Sequence, residues 1–173
     1  MKSIRLVLAV VAISSSTLAL AQSDAQKSFD KLKSLSGSWT GTYAGKPMQA
    51  TLRVTSMGNA ILHEMKGDGP DDPITMFYVE GDRLLLTHYC DAGNRPRMAG
   101  KISPDGKTIE FELVDVANYN KAQHGHMDHA VLTLIDENHH SEDWTFMLEG
   151  KPPMKVHLDM QRTNTKESAS ISR

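Results

Sequence analysis

Apolar and polar side chains alternate with a period of two along most of this chain, and that pattern restricts it to half-buried β-strands. The cleanest run sets Met154, Val156, Leu158 and Met160 against Lys155, His157, Asp159 and Gln161. Met48, Ala50, Leu52 and Val54 alternate in the same way with Gln49, Thr51 and Arg53, as do Ile109, Phe111 and Leu113 with Glu110 and Glu112. Turn signals follow at short, even intervals: Ala44-Gly45, Gly58-Asn59, Gly81-Asp82, Gly93-Asn94, Asp105-Gly106 and Gly150-Lys151 among them. The spacing predicts about ten strands, at 38–44, 48–57, 60–66, 74–79, 83–90, 95–102, 108–115, 127–135, 141–148 and 154–163. Consecutive hairpins leave two raw sheet edges, and closing the sheet removes both. The expected fold is therefore all-β, an antiparallel up-and-down barrel. A β-sandwich is the alternative, because periodicity does not separate one closed sheet from two stacked ones.

The ends of the chain read differently. Met1 to Arg5 is positively charged, Leu6 to Leu20 is apolar but too short to span a bilayer, and Ala19-Leu20-Ala21 suits cleavage, so residues 1–21 read as a signal peptide. Ser23 and Gln26 fit a capping box, Phe29, Leu32 and Leu35 repeat at a helical interval, and Gly37 is suited to end that short helix. Residues 22–163 form a single barrel domain in this reading, and 164–173 a polar, disordered tail. Export to the periplasm or beyond follows, with no integral membrane span left after cleavage. Lys+Arg 19 against Asp+Glu 21 leaves no basic stripe for nucleic acid. The lone cysteine, Cys90, excludes an intramolecular disulfide framework.

The segment Gly37-Ser38-Trp39-Thr40-Gly41, after a short helix and before the remaining strands, resembles the calycins, the superfamily of lipocalins and fatty-acid-binding proteins. It is most similar to their nitrobindin-type and secreted bacterial relatives. The resemblance implies a barrel around a small ligand, with a tryptophan closing one end beneath an arginine of the last strand. Trp39 and Arg162 are the matching residues, and a guanidinium over the indole would be a cation–π cap. The nitrobindin branch implies haem and chemistry on reactive nitrogen species. Its haem-ligating histidine lies near the C-terminus, where His157 is the nearest counterpart, on the wet face by alternation. Tyr43 stands where that branch has a further glycine.

Four groups of residues are candidates for chemistry. His88 and Cys90 leave the same strand face, but Leu84, Leu86, His88 and Cys90 compete with Leu85, Thr87 and Tyr89 for the interior, so either His88 or Tyr89 lines it. Arg97 can hold an acidic head group if it points inward, whereas parity with Met98 favours solvent. Trp144, alternating with Phe146 and Leu148, is a core residue or a pocket wall. His124, His126 and Asp128, with His129 beside them, offer imidazole and carboxylate ligands for zinc, copper or nickel, although a polar loop running into a strand is the simpler reading. Isolated carboxylates such as Glu64 and Asp115 form no catalytic pair, and nucleophile elbows and phosphate loops are absent. The expectation is a non-enzymatic barrel binding a small, mainly apolar molecule at Trp39, His88, Tyr89, Arg97, Trp144 and Arg162. It needs no cofactor, a haem protein and a histidine-based metal protein being the rivals.

Overall fold

The computed structural model describes residues 22–120 and 125–163. The expected signal peptide and tail lie outside the described residues. Helix α1 (Asp24–Lys33) opens as its sequence predicts, with Ser23 Oγ accepting from the Gln26 backbone N–H at 3.2 Å. It ends earlier than expected, its last carbonyls taken by the Ser34 cap, while Gly37 already belongs to the first strand. Phe29, Leu32 and Leu35 are buried. Each such side chain contributes about 2 kcal/mol on leaving water. No helix among the described residues is long and apolar enough to cross a membrane.

Ten strands follow: β1 (Gly37–Tyr43), β2 (Lys46–Thr55), β3 (Ala60–Gly67), β4 (Ile74–Glu80), β5 (Arg83–Tyr89), β6 (Arg95–Ile102), β7 (Thr108–Ala117), β8 (His126–Asp136), β9 (His139–Met147) and β10 (Met154–Arg162). Each pairs antiparallel with its neighbours in sequence, and β1 pairs with β10, so the sheet closes into a barrel. Closure decides against the sandwich. Bulges between Arg97 and Met98 and between Met127 and His129 shift the local register.

Helix α1 covers one end of the barrel. There Trp39 Nε1 donates to the Leu35 carbonyl at 2.8 Å, and Trp39 and Arg162 are register partners. The Arg162 guanidinium lies 4.1 Å from the Trp39 ring centre and donates to the carbonyls of Ser34, Ser36 and Glu137. This is the cap the resemblance implied, and it explains both motif glycines. Gly37 has φ +137°, and a Cβ there would strike Arg162 Nη1. At Gly41 a Cβ would collide with the Asp159 carbonyl and Met160 Sδ.

Beneath the cap Leu52, Ile61, Phe77, Leu84, Leu86, Ile109, Phe111, Leu132 and Leu158 are at most 2% exposed. A side chain so enclosed has no water-sized space beside it, so this half of the barrel is filled by its own residues.

Candidate functional site

The interior changes character halfway along. His63 on β3 is opposite Thr75 on β4, and Thr75 is opposite His88 on β5, so three polar side chains share one wall. From the far wall β9 sends in His140, Glu142 and Trp144 at alternate positions. All six are at most 1% exposed.

The two walls meet at Glu142. Trp144 Nε1 donates to Oε2 at 2.9 Å, His140 Nε2 lies 3.1 Å from Oε1, and His63 Nε2 comes within 3.4 Å of Oε1 from across the barrel. Burial alone would raise the Glu142 carboxyl, but the facing His63 and His140 imidazoles and the Trp144 N–H outweigh it and hold the group at about 2. Glu142 is therefore the anion of the layer. Burial pushes His63 below its ordinary value, with Glu142 pulling the other way.

His88 stands beside this bridge. Its Nδ1 is 2.9 Å from Thr75 Oγ1, and its ring centre is 5.3 Å from that of Trp144. Burial, followed by the like charge on His63, brings it down to about 4. His140 meets Trp39 edge-on at 4.2 Å, which links the layer to the cap. Nδ1 of His63 and Nδ1 of His140 are buried without a hydrogen-bond partner, whereas His63 Nε2 has the Glu142 carboxylate at ion-pair distance. Such atoms cost about 1–3 kcal/mol each, so the layer is polar at an energetic cost.

Beyond the layer lies the end that α1 does not cover. Met48, Leu113, Met127, Phe146 and Val156 occupy the inward positions there and are only half-buried, and Met154 at the rim is exposed. The connections bordering this mouth are fastened together. Asn94, itself buried, donates to the Gly125 carbonyl at 2.7 Å, and Asn118 donates to the Gly93 carbonyl at 2.8 Å. Gly125 packs so closely on Phe146 that any side chain would overlap the ring.

Among the residues singled out in the sequence, Trp39, His88, Trp144 and Arg162 are brought to the interior or its cap. Tyr89 and Arg97 stand on the outer face: Tyr89 is 45% exposed, and Arg97 Nε donates to Asp115 at 3.1 Å. Cys90 follows the end of β5, and burial raises its thiol above the ordinary value. A structural thiol suits that environment better than a nucleophile.

The expected metal set is divided. His124 lies outside the described residues. His126 Nε2 is 3.5 Å from Asp128 Oδ1, while His129 turns to Glu110 at 2.9 Å and Glu112 at 3.9 Å. Glu110, Glu112 and His129 are the trio among the described residues whose ligand atoms gather within 4.8 Å. They lie on the outer face of β7 and β8. His157, the haem counterpart by resemblance, also faces out, 2.7 Å from Asp143. In this register it does not fit an axial ligand inside the barrel.

His63, His140 and Glu142 were missed as site residues. Extending the inward series Trp144, Phe146 and Leu148 backward would have pointed to Glu142 and His140, and Ile61 and Met65 flank His63 at the same parity.

No protein-family model matches the sequence, and no curated protein matches it. Among solved structures the chain is similar to Rv2717c from M. tuberculosis, at 15% identity and TM-score 0.55 over 79% of this chain and 98% of that one. A protein of unknown function from the DUF3598 family of Nostoc punctiforme is similar at 10% identity and TM-score 0.50, over 76% of this chain and 49% of that one. At these identities the likeness is one of fold.

Proposed function

We propose that this chain is an exported, non-enzymatic barrel of calycin type that holds a small, mainly apolar molecule at the end opposite α1. The observation that carries the reading is the contrast between the two ends. The α1 end is packed shut, whereas Met48, Leu113, Met127, Phe146 and Val156 form a half-buried apolar ring above a polar floor. Methionine adapts its shape to irregular cargo, so the ring suits a tolerant site rather than a single rigid ligand. Trp144 pairs in register with Val156 and lies two residues from Phe146 on β9, so the polar layer borders the base of this apolar ring.

The test is titration of the purified protein with a hydrophobic fluorescent probe and with extracted lipids, paired with thermal melting. Saturable binding that raises Tm is expected, since a ligand of the native state alone stabilises by mass action. Val156→Trp, which fills the ring, should weaken binding at least about tenfold, equivalent to about 1.4 kcal/mol, while leaving the melt cooperative. Absence of saturable binding, or equal binding by the filled variant, would overturn the reading.

A further inference from the structure

Four of the six inward side chains of the layer, His63, His88, His140 and Glu142, are titratable, and the apolar ring of the proposed site adjoins it where Val156 pairs with Trp144. Its counter-charge is limited. Glu142 is the carboxylate it contains, shared by His140 and His63, while His88 has a neutral hydroxyl for a partner. The groups facing His88 from the elements around it are Thr75 from β4, His63 from β3, and Trp144, with Glu142 and His140 behind it, from β9. β6, β7 and β8 contribute apolar Met98, Phe111, Leu113 and Ala130 at neighbouring inward positions. One positive charge in the layer is balanced by Glu142. A second has no anion to face and is buried away from solvent.

We propose that the His63–His88–His140–Glu142 layer is a proton-responsive floor, in which uptake of a second proton in mild acid breaks the contact between the β3–β5 wall and β9 and loosens the hold on a guest in the mouth. The link to a guest rests on the ligand-binding reading, whereas the response of the floor does not. The proton adds to His88, the imidazole without a carboxylate. If the Thr75 hydroxyl donates to Nδ1, protonation there reverses that hydrogen bond; if Nδ1–H already donates, the proton arrives at Nε2. Either way an imidazolium stands 5.3 Å from the Trp144 ring in a dry layer, and water must enter to solvate it. The low value that burial imposes on His88 agrees with a floor kept closed at neutral pH.

The chain contains two tryptophans, Trp39 and Trp144, both buried and each touching a histidine of the layer. Emission followed from about pH 7.5 to about pH 3 therefore reads the floor directly. The wild type should show an acid transition that His88→Asn, which retains a hydrogen-bonding group near Thr75 but does not titrate, lacks. Probe affinity should fall at least about tenfold over the same range in the wild type and less than about twofold in the variant. Imidazole nitrogen NMR of the wild type decides the matter if the variant does not fold. A His88 ring that titrates near about 6.5, the ordinary value, overturns the proposal, as do identical transitions in the two proteins. Failure of the wild type to bind a probe at neutral pH overturns the ligand reading alone, and the emission transition still decides the floor.

Discussion

The histidines inside the barrel and those outside it are made from the same alternation and behave as opposites. Outside, among the described residues, His129 has Glu110, His139 has Asp159 and His157 has Asp143, while His126 is in between, mostly buried against Tyr119 with Asp128 3.5 Å away. Inside, His63 and His140 share Glu142, and His88 has Thr75. Solvent makes the outer pairs interchangeable and weak. In the dry interior each missing partner remains uncompensated, and small changes there should have large consequences.

The widest separation should come from the two carboxylates. Glu142→Gln retains the shape but removes the anion that His63 and His140 face, and is expected to destabilise by about 3 kcal/mol. Asp143→Asn, one residue along and on the outer face, should stay within about 0.5 kcal/mol. Urea denaturation of both variants checks the contrast, and similar losses would break it.

Acid is the second lever. An unfolded chain protonates His88 near about 6.5, whereas the folded protein resists until about 4. Between those values the unfolded state holds more protons, so stability falls as pH falls through this window and is fully present above it. The loss expected from His88 is about 3 kcal/mol, and His63 acts in the same direction. Denaturation midpoints measured across the window should show this slope, and His88→Asn should flatten it.

A smaller contrast separates adjacent residues. His140 is fully buried and meets both Trp39 and Glu142, while His139 is half-exposed beside Asp159. His140→Ala is expected to cost about 2 kcal/mol, and His139→Ala about 0.5 kcal/mol or less. Thermal melts of the two variants would show the face of the strand outweighing position in sequence.

The strands were legible because alternation and turn chemistry are local. The ten observed strands fall within three residues of their expected limits, and the pairing of Trp39 with Arg162 was foreshadowed by the motif. The competition within 83–90 was not resolvable from a run of Leu84, Leu85 and Leu86. The structure settles it for His88 through its pairing with Thr75. His63, His140 and Glu142 were missed for a physical reason: polar side chains on a half-wet sheet read as outward unless partners are known. Their partners come from β3 and β9, which are not neighbours in the sheet. Alternation along β9 could have turned His140 and Glu142 inward, but only closure of the barrel brings His63 to them, and a single strand carries no record of that.

The smallest expected effect concerns His157 and also tests the haem rival. Its side chain is 61% exposed and its partner Asp143 is 51% exposed, so His157→Ala should change stability by no more than about 0.5 kcal/mol, less at high salt. Because the ring points away from the interior, the substitution should also leave unchanged any Soret band obtained by mixing the protein with haemin. A band that disappears with His157 would require β10 to slip by one residue, turning Val156 and Leu158 outward. That slip would break the Trp39–Arg162 register together with the inside–outside division of the histidines, so a spectrum of one surface variant tests the register on which both depend.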